Sequence, residues 1–308
     1  MGLLVEGKWQ DKWYDTKKYG GKFIRTESQF RNYVGHDSNF LPQSGRYHLY
    51  VSLACPWAHR TLLYRVLKSL EGHISVSIVN PYMLENGWVF NEDFPESTPD
   101  HLFDSKYLYQ IYLKANPNYS GRVTVPVLWD KKLNTIVSNE SSEIIRMFNN
   151  VFDDITHNTN DFYPQIYQKK IDDINKFTYD NINNGVYKVG FATDQSVYEN
   201  ELDKLFIALD HIENLLSKNT YLLGNELLEC DLRLFPTLLR FDPVYVGHFK
   251  CNKKRLIDYP NIYRYLNKIK NNSQIRPTIN IDHIKAHYYG SHPTINPNGI
   301  IPSGPDIY

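Results

Sequence analysis

The spacing of apolar residues changes character near residue 150. Before that point, strand-like runs alternate with helical stripes. Tyr47-His48-Leu49-Tyr50-Val51-Ser52-Leu53 alternates as a strand does, and it runs into Cys55-Pro56. Leu62, Leu63, Val66, Leu67 and Leu70 then recur at helical spacing, and residues 74–79 read as a second strand. Residues 80–120 are polar, Pro-bearing and aromatic, a long loop of the kind that often carries function. Residues 123–130 turn into a strand, Asp130-Lys131-Lys132 suits a hairpin, and Thr135-Ile136-Val137 forms its return. Ser138-Asn139-Glu140-Ser141-Ser142-Glu143 opens a helix through Ile144, Ile145 and Phe148. The pattern predicts β-α-β, a loop, then β-β-α over residues 44–150.

Beyond a polar linker at residues 149–160 the pattern is helical. Ile171, Ile174, Thr178 and Ile182 share a face, with Gly185 as a stop. Leu202, Leu205, Phe206, Leu209, Ile212 and Leu216 form a second stripe, and Leu232, Phe235, Leu238 and Leu239 a third. Pro260 opens a shorter helix with Ile262, Leu266 and Ile269. The expected organisation is an irregular extension at residues 1–43, an α/β domain at 44–150, and an all-α domain at 161–308. The last of these ends in an extended tail from Tyr288 onward.

Composition narrows the function classes. Formal net charge is zero, which gives no electrostatic warrant for nucleic acid or an anionic membrane as principal partner. No apolar run reaches membrane-spanning length, and the start of the chain has no secretory pattern. Gly2 lacks the Ser or Thr that myristoylation needs, since Glu6 stands there. The three cysteines, Cys55, Cys230 and Cys251, are too few and too far apart for a disulfide framework or a zinc site. Reduced thiols in a reducing, cytoplasmic setting are expected. Tyrosine occurs 24 times, alongside abundant Asn, Ile and Lys, so a Tyr gains functional meaning only from its place.

Cys55 is the candidate nucleophile. A strand handing over to a helix puts its sulfur at the first turn, where free N–H groups and the dipole favour a thiolate. Pro56 suits the first helical position. A lone cysteine is more often buried and inert, so position carries the argument. Ala58 stands where a second redox cysteine would be, so Cys55 must resolve with an external thiol. Before Pro126 the peptide bond is expected to be trans, cis being a minority state. Glu140-Ser141 at a helix start fits either ordinary capping or an amino-acid zwitterion. His283 and His287 share a helical face, but Ile284 replaces the Glu of the metalloprotease motif, so they and His292 read as structural. No metal is implied.

Together these features resemble the glutathione transferases: a thioredoxin-like N-terminal domain and a helical C-terminal domain. Cys55-Pro56-Trp57-Ala58-His59-Arg60, Asn86-Gly87-Trp88, Glu140-Ser141-Ser142-Glu143-Ile144-Ile145, Arg240-Phe241-Asp242-Pro243-Val244-Tyr245 and His287-Tyr288-Tyr289-Gly290-Ser291-His292-Pro293 resemble the glutathionyl-hydroquinone reductases, the xi class. The resemblance spans nearly the whole chain. It implies glutathione as co-substrate, a glutathionylated hydroquinone or related aromatic as substrate, and a homodimer. It assigns glutathione binding to Trp88, Arg122, Val125, Glu140 and Ser141. It makes Tyr187 the proton donor to the leaving hydroquinone, with Tyr245 and Tyr288 shaping the pocket beside the Cys55 thiolate. One departure is Leu228, standing where the family places a Ser or Thr cap three residues before Asp231. Three alternatives stay open: an omega-like thiol transferase or dehydroascorbate reductase, a non-catalytic ligand binder, and a cysteine hydrolase using His59.

Overall fold

The computed structural model describes residues 2–305, and the chain divides into two compact units. The end of the expected tail, residues 306–308, lies outside the described residues.

Of the described residues, the first unit comprises 2–13, 26–161 and 277–291. Its strands and helices are β1 (Leu3–Val5), β2 (Lys8–Gln10), β3 (Tyr47–Val51), α1 (Pro56–Leu67), β4 (Ile74–Ile78), α2 (Leu108–Ala115), β5 (Gly121–Arg122), β6 (Val127–Asp130), β7 (Thr135–Ser138), α3 (Ser141–Asn150) and the short α4 (Asp153–Thr156). Four strands form a sheet in the order β4-β3-β6-β7, with β3 and β4 parallel and the other pairs antiparallel. This is the predicted β-α-β, β-β-α order. Every residue of the central strand β3 is buried. Its polar positions survive burial by pairing: His48 Nδ1 meets Ser75 Oγ at 2.8 Å and Nε2 meets Ser77 Oγ at 3.0 Å, while the Tyr50 hydroxyl donates to Asp100 at 2.9 Å. Arg46 donates from Nε to both Asp130 oxygens, at 3.0 and 2.9 Å, tying the start of β3 to the end of β6.

The leading 43 residues are less irregular than their sequence implies. β1 and β2 pair as a hairpin, and β1 also pairs with β5. The long loop likewise contains α2, which buries Leu108, Ile111 and Tyr112.

Of the described residues, the second unit comprises 14–25, 162–276 and 292–305. It holds α5 (Gln168–Thr178), α6 (Gly185–Gly190), α7 (Gln195–Leu216), α8 (Glu229–Leu239) and α9 (Pro260–Lys270). The predicted stripes are its core: Leu205, Leu209, Leu216, Leu232, Phe235 and Ile262 are fully buried. Gly185 begins α6 instead of ending the helix before it, because a π-turn at Tyr179–Asn183 carries α5 almost straight into α6.

The last helix, α10 (Ile281–Ser291), belongs to the first unit. Tyr288 is therefore helical, not the start of an extended tail; turns follow from His292, whose carbonyl accepts from the N–H groups of Ile295 and Asn296 at 2.9 Å.

Leu228 precedes α8 and offers no capping oxygen, yet Asp231 takes the N–H groups of Leu222 and Leu228, each at 2.9 Å. Leu228 itself is 2% exposed. Burying a Leu side chain is worth about 1.5–3 kcal/mol, more than the ~1 kcal/mol of a lost cap. The departure at this position thus exchanges a cap for core.

Candidate active site

In the first unit, α1 presents Cys55. The residue is the N-cap, with extended backbone (φ −78°, ψ 123°), and Pro56 is the first helical residue. The residue is half-buried, and its sulfur lies 3.7 Å from the Val125 carbonyl oxygen. The Val125–Pro126 bond is cis, against the expectation of trans. The minority frequency of cis bonds describes X–Pro pairs in general, whereas this pair lies at a bend leading into β6, with the Val125 carbonyl beside the Cys55 sulfur. Cys230 and Cys251 are fully buried, and burial pushes both thiols well above their ordinary range. Position and access single out Cys55.

Glu140 caps α3 through its own side chain. Its Oε1 accepts from the Ser142 N–H at 3.0 Å and the Ser142 hydroxyl at 2.8 Å, and Oε2 accepts from Ser28 Oγ at 3.3 Å. Burial alone would push this carboxyl up; the hydrogen bonds from Ser142 and the charges of Arg60 and Arg31 hold it below the usual value. It is an ionised carboxylate beside the first turn of a helix. Ser141, the first residue of α3, is buried.

Arg122 donates to the carbonyls of Lys12 and, at 2.9 Å, Trp13, so its guanidinium holds the segment that follows the N-terminal hairpin. Trp88 is 3% exposed and stacks on His287 with ring centroids 4.8 Å apart. Tyr288 is buried, edge-on to the same His287. The α10 histidines act on the long loop: His287 Nδ1 meets the Pro81 carbonyl at 2.8 Å and His283 Nε2 the Pro95 carbonyl at 2.6 Å. Both contacts tie α10 to that loop. His59 follows one turn after Cys55; its Nε2 pairs with Thr278 Oγ1 at 2.8 Å and the ring is buried.

In the second unit, Tyr187 on α6 and Tyr245 lie in one aromatic cluster, ring centroids 6.2 Å apart. Phe249 stacks on Tyr245 at 5.4 Å and meets Tyr187 edge-on at 5.6 Å. Phe191 adds a further wall. Asp242, from the same motif as Tyr245, accepts from the Leu256 N–H at 2.7 Å and so fixes the chain beyond the cluster.

Two residues near these groups were missed by sequence reasoning. Arg60 is 2% exposed, sits 4.6 Å from the Trp57 ring and supports the Glu140 charge. Its signal was a cation on the Cys55-bearing helix. Arg25, beside Tyr187, gave no signal, lying in a stretch without period.

Comparison with known proteins fits this geometry. Models of the glutathione S-transferase N-terminal and C-terminal domains match residues 54–151 and 195–268. The chain is 56% identical to the glutathionyl-hydroquinone reductase YqjG of Escherichia coli K12, covering 99% of this chain and 95% of that protein. The glutathione-bound structure of YqjG superposes with a TM-score of 0.91 at 52% identity, over 99% of this chain and 96% of that one. The glutathione transferase Xi of Phanerochaete chrysosporium superposes with a TM-score of 0.90 at 49% identity, over 92% of this chain and 97% of that one. The chain is a xi-class glutathione transferase. In this xi-class chain, the thioredoxin-like sheet and α1 carry the thiol, and the helical unit carries the tyrosine cluster.

Proposed function

We propose that this enzyme reduces glutathionyl-hydroquinones to hydroquinones at the expense of glutathione. The observation that carries the reading is the half-buried residue Cys55 at the N-cap of α1, with Ala58 in place of a second cysteine. The name of the 56%-identical relative supports the substrate class.

In the first step the Cys55 thiolate attacks the glutathionyl sulfur. The carbon–sulfur bond breaks, a disulfide forms between Cys55 and glutathione, and the ring carbon gains a proton from the Tyr187 hydroxyl. Both sulfurs are oxidised and the carbon is reduced by two electrons. In the second step another glutathione, as thiolate, attacks the mixed disulfide. Oxidised glutathione leaves, Cys55 is again a thiolate, and the proton from that glutathione thiol restores Tyr187. A phenol suits this role as a neutral acid placed against a developing anion.

Glu140 and Ser141 take the γ-glutamyl end, with the Glu140 carboxylate facing the ammonium. The Val125 backbone pairs with the tripeptide, and Arg122 and Trp88 flank it. Tyr245 and Tyr288 are the tyrosines that the family resemblance assigns to the aromatic substrate. The enzyme works in the cytoplasm as a homodimer.

Cys55→Ser should abolish turnover of a synthetic glutathionyl-hydroquinone and of a glutathione mixed disulfide alike. Tyr187→Phe should slow the hydroquinone reaction selectively, by roughly 10²-fold or more if it supplies general-acid catalysis. Equal losses on both substrates would remove Tyr187 from this role.

A further inference from the structure

A cation from the N-terminal segment lies over the Tyr187 ring. The Arg25 guanidinium carbon is 4.8 Å from the centroid of Tyr187 and 5.3 Å from that of Phe23. Arg25 Nε donates to Asn184 Oδ1 at 3.0 Å, and the Asn184 carbonyl in turn accepts from the Tyr187 N–H at 3.1 Å. The guanidinium and the phenol are thus fixed to the same helical turn. Arg25 is half-buried, which limits the screening of its charge.

The segment carrying it is anchored. The Gly21 N–H donates to the Thr16 carbonyl at 2.9 Å and the Thr193 N–H to the Gly21 carbonyl at 3.1 Å. Gly21 has φ +83°, and a Cβ there would lie 2.6 Å from Asp194 Cβ, so only glycine permits this approach.

A cation is attracted to the face of a neutral aromatic ring. It is attracted more strongly once the ring carries a negative oxygen, so a fixed cation favours the phenolate over the phenol. We infer that Arg25 is a positioning residue for Tyr187: it holds the ring through Asn184 and stabilises the phenolate left when Tyr187 gives its proton to the departing hydroquinone. This rests on the reading of Tyr187 as proton donor. Phe23, Phe191, Tyr245 and Phe249 also lie against the Tyr187 ring.

The test uses the full-length enzyme with Arg25→Gln, Arg25→Lys, Tyr187→Phe and the Arg25→Gln/Tyr187→Phe double variant. Each is assayed on a glutathionyl-hydroquinone and on a glutathione mixed disulfide, whose leaving thiolate needs no carbon protonation. Arg25→Gln keeps a donor for Asn184 and removes the charge. It should lower kcat for the hydroquinone by about tenfold, the size of one partly desolvated cation–ring contact, and leave mixed-disulfide turnover little changed. Arg25→Lys should recover most of the loss, and the double variant should be no slower than Tyr187→Phe. Loss on both substrates, no loss in Arg25→Gln, or a further loss in the double variant would overturn the inference while leaving a selective Tyr187→Phe defect, and the reading of Tyr187, intact. If Tyr187→Phe itself shows no selective defect, that reading falls and the inference with it.

Discussion

Cys55 illustrates how position makes a residue. The chain has three cysteines, and the two on α8 and beyond it are sealed where burial keeps them protonated. Cys55 differs in two respects: it is partly exposed, and it stands at the N-cap of a helix, whose first N–H groups have no partner within the helix. Alkylation by iodoacetamide under native conditions should therefore modify Cys55 and spare Cys230 and Cys251, as peptide mass mapping would report; labelling spread over all three would contradict the burial argument. This much was legible from Ala54-Cys55-Pro56 and its surroundings. The tyrosines were not legible in the same way. In a chain with 24 of them, only the resemblance singled out Tyr187, Tyr245 and Tyr288.

At the scale of elements, the sequence predicted what local periodicity encodes and missed what distant pairing decides. The strands and helices of the βαβ-ββα half, and the stripes of α7, α8 and α9, announce their buried faces within a few residues. β1 and β2 are three residues each, and one edge of β1 is satisfied by Gly121-Arg122, more than a hundred positions away. α2 spans eight residues with three buried, too brief a stripe to stand out among aromatics. The start of α8 shows a different limit. From sequence, Leu228 is a missing cap; from structure, it is a buried side chain whose loss outweighs a cap. Leu228→Thr should therefore destabilise the fold by about 1 kcal/mol, net of the cap it restores, in chemical denaturation. A gain in stability would show that capping dominates.

At the scale of the whole molecule, buried titratable groups set the response to acid. Burial pushes His48 down to about 3 and His248 down to about 4. Each stays neutral in the folded state where an unfolded histidine would bind a proton near pH 6.5. Their stability contribution is present above pH 6.5 and is lost as pH falls toward those values. Asp231 opposes them: burial raises its carboxyl to about 6, so its contribution is present below the ordinary aspartate value and is lost as pH rises through 6. Between pH 6 and pH 4, two protons favour the unfolded state and one favours the folded state. Net stability from these three groups should fall by about 1.4 kcal/mol per pH unit as acid is added. His48→Gln should flatten that slope, measured by denaturant titrations across the pH series; an unchanged slope would exclude His48 as a source of acid sensitivity.

The central claim is that Cys55 passes through a mixed disulfide with glutathione. A single-turnover reaction tests it most directly: stoichiometric enzyme is mixed with a glutathionyl-hydroquinone in the absence of free glutathione, then quenched in acid for intact and peptide mass analysis. Wild-type enzyme should release one hydroquinone per active site and carry one glutathionyl group on the Cys55 peptide, removed on adding glutathione. Cys55→Ser should release none. Hydroquinone release by Cys55→Ser at the wild-type rate, or a glutathionyl group on Cys230 or Cys251 instead, would contradict the account.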